Sequence, residues 1–202
     1  MCNLYKLKAS PAEIGDFFDA ELEGFSANMA GEVYPGYPSA VVAGGQLQSM
    51  NWGFPLQRKG AKGQALKQKP VNNTRTDKLK SYFWRSSFEN RRCLIPVSSF
   101  AEAQGPKGAM TRTWISAADG AFLAMAGIWR DSDEWGLSFS MLMTGANDQM
   151  APIHNRMPVI LPREQWSEWT DGSPHQAFDL CQPYKGRLLI DRTDEPWFKR
   201  RS

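Results

Sequence analysis

The chain has 202 residues, of which 42% are hydrophobic and 22% are charged, and its net charge is +3. These values are ordinary for a soluble globular protein with one sizeable core. No apolar run approaches the length that spans a bilayer, and the N-terminus lacks the basic and apolar segments of a signal peptide. A cytoplasmic protein without a membrane partner is therefore expected.

The first half of the chain predicts a few short elements. Residues 1–8 alternate weakly, as in a short strand, and residues 10–13 combine a capping serine, a proline and a glutamate, which marks the start of a helix. Apolar residues at helical spacing carry this helix to about residue 24. Residues 39–52 predict a hairpin around a glycine pair. Residues 55–70 are rich in Gly, Lys and Gln, which predicts a flexible loop.

Strands dominate the prediction for the second half, at residues 93–97, 113–117, 122–129, 137–143, 158–161 and 187–190. The second and third of these flank Asp119-Gly120 and are predicted to pair as a hairpin. Helices are predicted at residues 163–170 and 174–180. Many short strands with few helices favour an α+β fold, in which a curved antiparallel sheet or barrel-like core carries a few flanking helices. A single domain over residues 1–202 is expected.

The three cysteines are sparse and form no CxxC pair. With only two histidines in the chain, the composition favours neither a disulfide framework nor a zinc site, so no metal and no cofactor is expected. Cys93 and Cys181 are interpreted as small buried hydrophobic residues.

Cys2 differs from the other cysteines because removal of Met1 would make it the N-terminal residue. Methionine is generally removed when the second residue is small. The product carries a primary amine and a thiol on adjacent carbons, and such a pair reacts with aldehydes: the amine forms an imine and the thiol closes a five-membered thiazolidine ring. An α-amine has a reference pKa of about 7.7–8.0, so part of it is a neutral nucleophile near pH 7. The alternative is a cysteine with no role.

Positive charge is concentrated in one segment. Residues 57–92 hold eleven Lys or Arg and two acidic residues, an excess of nine positive charges, which leaves the rest of the chain at −6. Such a local field attracts polyanions. The aromatic residues within the segment could stack on bases or could be core residues of a strand or short helix: Tyr82, Phe83, Trp84 and Phe88. A solvated charged loop is the alternative interpretation.

Three further positions could carry chemistry. His154 suits proton transfer near neutral pH, and Arg156 would share its face in an extended segment. The run from Asn72 to Arg75 offers amides and a guanidinium suited to a sugar and its phosphate. Glu102 follows an apolar stretch, where desolvation would raise its pKa. For each the alternative is structural: a buried histidine, an asparagine-rich turn and a surface glutamate.

Together these features resemble the SRAP family (SOS response-associated peptidase), whose members are also called abasic site processing proteins. The resemblance covers nearly the whole chain in the same order. The matching segments are Met1-Cys2, Asn51-Trp52-Gly53-Phe54, Asn73-Thr74-Arg75, residues 92–102, Thr144-Gly145-Ala146-Asn147 and residues 150–161. The last, Met-Ala-Pro-Ile-His-Asn-Arg-Met-Pro-Val-Ile-Leu, is the most specific match.

The resemblance implies a set of site residues and their roles. The amine and thiol of Cys2 would form the thiazolidine with the ring-opened deoxyribose of an abasic site. Glu102 would handle protons near the amine and assist reversal, His154 would promote opening of the sugar ring, and Asn73 would hold the adduct by hydrogen bonds. DNA contacts are expected from Arg75, Arg85, Arg156 and Trp52.

The chain departs from the family pattern at several positions. The family's Cys-Gly-Arg start is Cys2-Asn3-Leu4 here, which removes one expected phosphate contact. Its Tyr-Glu-Trp is Ala101-Glu102-Ala103, so two packing aromatic residues are missing. Residues 56–63 also lack the bulky aromatic residues that wedge at a DNA junction. These departures indicate a divergent member, with the preference for junctions over plain single strands left open.

The function expected from the sequence is DNA damage repair: sensing of abasic sites in single-stranded DNA and their capture as a covalent protein–DNA cross-link. One alternative is an abasic-site lyase or a protease-like, self-processing hydrolase that uses the same residues. No acyl-enzyme triad is evident to favour general proteolysis. Another alternative is a nucleic-acid-binding module without catalysis. A monomer, associated with the nucleoid when bound to DNA, is the expected state.

Overall fold

The computed structural model describes residues 2–22, 24–25 and 31–198. Its α-helices are α1 (Pro11–Phe18), α2 (Tyr82–Asn90), α3 (Trp166–Asp171) and α4 (Pro174–Asp179). Its strands are β1 (Tyr5–Lys6), β2 (Glu32–Val33), β3 (Pro38–Ala43), β4 (Gln46–Trp52), β5 (Phe54–Lys59), β6 (Ala65–Val71), β7 (Asn73–Arg75), β8 (Arg92–Val97), β9 (Ser99–Gln104), β10 (Thr111–Ala117), β11 (Leu123–Arg130), β12 (Ser138–Gly145), β13 (Arg156–Pro158) and β14 (Leu188–Pro196).

The core is a small barrel. Strand β11 pairs with β8, β8 with β3, β3 with β4, β4 with β12, and β12 again with β11, which closes the ring. Closure leaves none of these five strands as an open edge of the ring. The predicted α+β fold with a barrel-like antiparallel core is confirmed. The sequence did not reveal that β12 pairs in parallel with both β4 and β7.

A second sheet, in the order β14-β10-β9-β1-β2, packs on the barrel. Tyr5, Phe100 and Ile115 of this sheet belong to the same apolar core as the barrel residues. The strands predicted on either side of Asp119-Gly120 exist, but the predicted hairpin is wrong, because β10 pairs with β9 and β14 whereas β11 pairs with β8 and β12. The turn at Gly120 therefore passes the chain from one sheet to the other.

The starts of α1 and α4 are those that the sequence predicts, whereas α3 begins at Trp166, after a 3₁₀ turn at Arg163–Gln165, and α2 was not predicted. The Ser10 hydroxyl accepts from the Glu13 amide while the Glu13 carboxylate accepts from the Ser10 amide, and Ser173 and Gln176 form the same box at α4. Helix α1 ends earlier than predicted, at Phe18, because Asp19 takes a left-handed conformation with φ of 52°.

The predicted flexible loop at residues 55–70 is wrong. This segment forms the two-stranded sheet of β5 and β6, in which Phe54 pairs with Val71 and Leu56 with Lys69. The hairpin begins at Gly53, whose φ is 124° and where a Cβ would lie 2.4 Å from the Cβ of Pro70, so only glycine fits. The hairpin thus connects Trp52 directly to Asn72, the residue before β7.

Within the described residues, no helix is long and apolar enough to cross a membrane. The same part of the chain contains no cluster of three or more His, Cys, Asp or Glu side chains that could hold a metal ion.

Candidate active site

Cys2 lies just before β1 and is completely buried. Strand β1 pairs with β9, and the Ala101 amide extends this pairing by donating to the Leu4 carbonyl at 2.9 Å. The Cys2 thiol lies 3.6 Å from the same carbonyl oxygen. The pairing of β1 with β9 therefore positions Cys2 beside the strand that carries Glu102.

Two side-chain amides hold the backbone of Cys2. The Asn73 Nδ2 donates to the Cys2 carbonyl at 2.8 Å, and the Asn72 Nδ2 donates to it at 3.2 Å. Asn72 also donates to the Asn3 side chain at 3.0 Å. The Asn73 Oδ1 is buried and accepts no hydrogen bond from the described residues, so an acceptor remains beside Cys2.

Asn72 contributes more to the site than the sequence predicts. It was grouped with its neighbours, but the family motif pointed only to Asn73. Its backbone carbonyl accepts from the Trp52 indole at 2.9 Å and from the Met141 amide at 3.0 Å, so the residue is fixed from three sides. The pair of adjacent asparagines was the only signal in the sequence.

Glu102 is 4% exposed and lies on β9, opposite Thr113 of β10. Burial raises the pKa of its carboxyl above the ordinary value, and the nearby charge of His154 opposes this shift in part. The carboxyl therefore holds its proton to a higher pH than a surface glutamate. The predicted desolvation of Glu102 is present, and such a group is suited to proton transfer near neutral pH.

The thiol of Cys2 is strongly perturbed by the same environment. Burial raises its pKa well above the usual range, and the negative charge of Glu102 raises it further. The thiol is therefore protonated at neutral pH and is not a preformed thiolate. This argues against a cysteine-protease type of nucleophile, which depends on a lowered thiol pKa.

His154 lies in the turn before β13 and not in an extended strand, so the prediction that it shares a strand face with Arg156 is wrong. The Arg156 amide donates to the His154 Nδ1 at 3.0 Å. The same Nδ1 lies 3.2 Å from the Arg156 carbonyl oxygen, so the backbone of Arg156 holds the Nδ1 side of the ring. The ring charge acts on Glu102, which brings the histidine into the same cluster.

Strand β12 holds two of the site segments in place: Asn73 on β7 pairs with Met141, and Arg156 on β13, next to His154, pairs with Gly145. Together with the contacts of Cys2 and Glu102 described above, the structure brings Cys2, Asn73, Glu102 and His154 together from four separate stretches of chain. Their catalytic roles remain a prediction.

The predicted DNA contacts differ in their surroundings. Arg75 is exposed and forms a bidentate ion pair with Asp77, at 2.9 and 2.6 Å, which holds the pKa of the Asp77 carboxyl below its usual range. Arg156, on β13, also lowers the pKa of Asp77 by its charge. The Arg85 side chain is exposed on α2, 4.0 Å from Glu89.

The position of Trp52 does not support the prediction that it contacts DNA. Its side chain is fully buried, with its ring edge-on to Tyr5 at 4.9 Å and its indole NH bonded to Asn72. A buried ring cannot stack on a base. Trp52 instead supports the site by fixing the backbone of Asn72.

The departures from the family pattern are structurally linked. Ala101 pairs with Trp114 across the sheet, and Ala103 pairs with Arg112. The small side chains on β9 thus stand opposite bulky ones on β10. Leu4 is also buried, and it packs with Ala101 and Trp114 in a small apolar cluster. An apolar residue in place of the family's arginine at Leu4 is consistent with this packing.

The fold and the cluster define a class: an α+β protein in which the second residue of the chain lies beside a buried carboxyl and a histidine. Among solved structures, a protein from Bordetella bronchiseptica matches with a TM-score of 0.79 and 25% identity, covering 95% of this chain and 99% of the other. A protein from Bacteroides thetaiotaomicron shares the fold with a TM-score of 0.78 and 18% identity, covering 95% and 91%.

A family model described as SOS response associated peptidase (SRAP) matches residues 1–193, and the chain belongs to this family. Two relatives from Bacillus subtilis are named abasic site processing proteins. YoqW is 27% identical over 192 residues, with 83% of each chain covered. YoaM is 28% identical over 202 residues, covering 91% of this chain and 86% of the relative.

Proposed function

We propose that this protein senses abasic sites in single-stranded DNA and captures them as a thiazolidine cross-link through Cys2, after Met1 has been removed. The names of its relatives, abasic site processing proteins, support the lesion as substrate. Capture protects the lesion from strand cleavage and belongs to the response to DNA damage. The protein would act in the cytoplasm, on the nucleoid while bound to DNA.

One observation carries the proposal: the carbonyl of Cys2 is held by two amides, while the charges of Glu102 and His154 act in the same cluster. These bonds restrain the backbone of Cys2, and the contact of its sulfur with the Leu4 carbonyl at 3.6 Å restrains the side chain. Orientation of this kind contributes strongly to ring closure, because both nucleophilic atoms must reach one aldehyde carbon.

The chemistry needs no external cofactor. The sugar aldehyde and the Cys2 amine condense to an imine with release of water. The thiol then adds to the imine carbon, and its proton passes to the nitrogen as the ring closes. Because burial raises the pKa of this thiol, the transfer of its proton to the imine nitrogen has to accompany the attack of the sulfur. Glu102, with its raised pKa, would donate the proton that removes water from the first adduct.

His154 would act before this step. An abasic sugar is mostly a closed hemiacetal, and when it opens to the aldehyde the ring oxygen gains a proton while the anomeric hydroxyl loses one. The backbone of Arg156 holds the Nδ1 side of the His154 ring. We therefore assign this proton transfer to His154: the protonated ring would give a proton to the sugar ring oxygen and recover one from the anomeric hydroxyl. The free Oδ1 of Asn73 would accept from a sugar hydroxyl.

Plain single-stranded DNA is the proposed form of the substrate. The hairpin of β5 and β6 adjoins Asn72, and its exposed Lys62, Lys67 and Lys69 would contact phosphates. The exposed apolar side chains of the hairpin are Leu56 and Leu66, and both are aliphatic. A protein that splits a DNA junction would need a bulky aromatic residue at this hairpin. This chain has positively charged side chains there instead.

The experiment is a cross-linking assay with a single-stranded oligonucleotide that carries one abasic site, read by gel and by intact mass. Wild-type protein lacking Met1 should gain the mass of the DNA minus one water. Cys2→Ala and Cys2→Ser both retain the N-terminal amine but lack the thiol, so neither should give a stable adduct and each should give at most an imine that reduction can trap. Cys93→Ser serves as the matched control and should cross-link normally.

Other outcomes would reject the proposal. Equal covalent product from wild type and Cys2→Ala would remove Cys2 from the chemistry. Cleaved DNA with little trapped protein would instead indicate a lyase, in which the Cys2 imine leads to β-elimination. Binding that ignores the lesion and survives the loss of Cys2 would indicate a module without catalysis.

A further inference from the structure

One aromatic side chain of the basic segment, Tyr82, is almost entirely in water. It is 98% exposed at the first position of α2. Its neighbours Trp84 and Phe88 are 8% and 6% exposed, and the ring of Phe83 lies edge-on against Trp84 with centroids 4.6 Å apart. The sequence left open whether these aromatic residues stack on bases or form the core. The structure assigns three of them to packing and leaves Tyr82 accessible.

The surroundings of Tyr82 are positively charged. Arg85 follows it by three residues and therefore lies on the same face of α2, with a side chain that is 65% exposed. Lys78 and Lys80 precede it, and both are exposed. Of the two acidic residues in the segment, Asp77 is paired with Arg75, and Glu89 lies 4.0 Å from Arg85 in an exposed pair that a phosphate would have to compete with. An exposed ring flanked by cations is the combination that binds single-stranded nucleic acid.

This position is also close to the candidate active site along the chain. Tyr82 follows Arg75 by seven residues, and Arg75 is on the same short strand as Asn73. A fully extended chain spans at most about 3.6 Å per residue, so the two Cα atoms are within about 25 Å. The 3₁₀ turn at Thr76–Lys78 shortens this distance further. A DNA strand with its lesion at Cys2 is long enough to reach the ring a few nucleotides away.

We propose that Tyr82 stacks on an unpaired base a few nucleotides from the lesion, with Lys78 and Arg85 contacting the adjoining phosphates, so that α2 forms a second DNA-binding element for the same strand. This inference rests on the proposed function, because it takes single-stranded DNA as the ligand. Stacking on one ring is tolerant of base identity, which suits a protein that must bind a lesion in any sequence. A duplex would not bind in this way, since its bases are already stacked.

The test uses lesion-free single-stranded DNA, a fluorescent oligothymidylate, with the full-length protein. Tyr82→Ala should weaken binding about tenfold or more, whereas Tyr82→Phe and Tyr82→Trp should bind as wild type does. Because no charge is lost, the dependence of log Kd on log salt should not change in Tyr82→Ala. In Lys78→Gln the slope should fall by about 0.7, the value for one phosphate contact on a single strand.

Tyr37 provides a matched control. It is a second exposed tyrosine, 54% exposed, and it lies outside the basic segment. Tyr37→Ala should bind DNA as wild type does. Equal binding by wild type and Tyr82→Ala would overturn the inference, as would an equal loss in both alanine variants. Dependence on Tyr82 for an RNA of the same sequence but not for DNA would overturn it as well. Because Tyr82 makes almost no packing contact, the variants should keep the wild-type melting temperature.

The cross-linking assay distinguishes this inference from the proposed function. At saturating DNA, Tyr82→Ala should still form the Cys2-dependent adduct in full. If Cys2 cross-links normally and Tyr82→Ala binds normally, only the role of Tyr82 fails. If Tyr82 is needed for binding and no adduct depends on Cys2, only the proposed lesion chemistry fails.

Discussion

The buried cluster around Cys2 and the basic segment around α2 differ in how they are built. Cys2 and Glu102 are almost inaccessible to water, and amides from Asn72 and Asn73 hold the Cys2 carbonyl. Tyr82 and Arg85, in contrast, project into solvent with few contacts. The first region is fixed by short-range bonds, and the second acts through an exposed ring and through charge.

This difference follows from what each region is proposed to do. Proton transfer near neutral pH requires pKa values that differ from those in water, and burial shifts them. Strand binding requires accessible charge and an accessible ring, whose effects vary with salt and tolerate any base sequence. Substitutions in the cluster should therefore change the rate of cross-linking, whereas substitutions in the basic segment should change DNA affinity.

Glu102→Gln, in the buried cluster, is expected to change the rate of cross-linking more than any other substitution. Loss of the buried acid should slow cross-linking about 10²- to 10⁴-fold at saturating DNA, because proton transfer to the leaving water is lost. The affinity for lesion-free DNA should remain unchanged. The rate constant is measured by quenched gel assay from pH 5 to 9. The wild-type rate should fall as the pH rises through the raised pKa of Glu102, and the variant should lack this dependence.

The same substitution should also change stability, in a direction that the pKa shift determines. Because the carboxyl is protonated more readily in the folded chain, its contribution to stability is present below its ordinary pKa and is lost as the pH rises through the folded value. Glu102→Gln should therefore melt a few degrees above wild type at pH 8 but not at pH 4. Glu164→Gln, at an exposed carboxylate, is the control. If Glu102→Gln showed the rate and the melting profile of the wild type, both expectations would be contradicted.

The two asparagines should have an intermediate effect. Asn73→Ala should slow cross-linking about tenfold, because its 2.8 Å bond orients Cys2. Asn72→Ala should slow it about threefold, since its amide contacts the Cys2 carbonyl at 3.2 Å and also contacts Asn3. Both substitutions should lower the rate constant at saturating DNA. Neither should change the DNA concentration that gives half of that rate.

The double variant sharpens this prediction. Because both amides donate to one oxygen atom, the loss in Asn72→Ala/Asn73→Ala should differ from the product of the single losses. Asn90→Ala, at the exposed end of α2, is the matched control and should cross-link at the wild-type rate. Losses confined to DNA affinity would show that the asparagines hold the strand and not Cys2.

The sequence predicted the residues of the cluster better than the support around them. Asn73, Glu102 and His154 were indicated by motifs and by their chemistry, because few residue types can transfer protons or hold a sugar. The role of Asn72 was not predicted, since it depends on the distance from its amide to a carbonyl seventy residues earlier. Trp52 was assigned to DNA through the family resemblance. Its burial follows from the pairing of β4 with β12, which local sequence does not specify.

The fold shows the same limit. The capping box at α1 depends on residues three positions apart and was predicted correctly. The pairing of β10 and β11 depends on distant strands, so a turn at Gly120 was mistaken for a hairpin. The hairpin of β5 and β6 was missed because β6 is mostly exposed and shows no apolar alternation. The formation of this hairpin depends on Gly53 and on the pairing of its two strands.

The smallest predicted effect is a gain of affinity at the boundary between the two regions. Asp77 holds Arg75 in a bidentate ion pair on the surface, and its negative charge opposes the approach of a phosphate. Asp77→Asn should release the guanidinium and increase the affinity for single-stranded DNA about two- to fivefold at low salt. The gain should decrease as salt rises, because exposed charges are screened. Asp191→Asn, at a carboxylate on β14, should have no such effect. If Arg75 contacts DNA as proposed, Arg75→Gln should abolish the gain, and a gain that persists in Asp77→Asn/Arg75→Gln would show that Asp77 acts only through general repulsion.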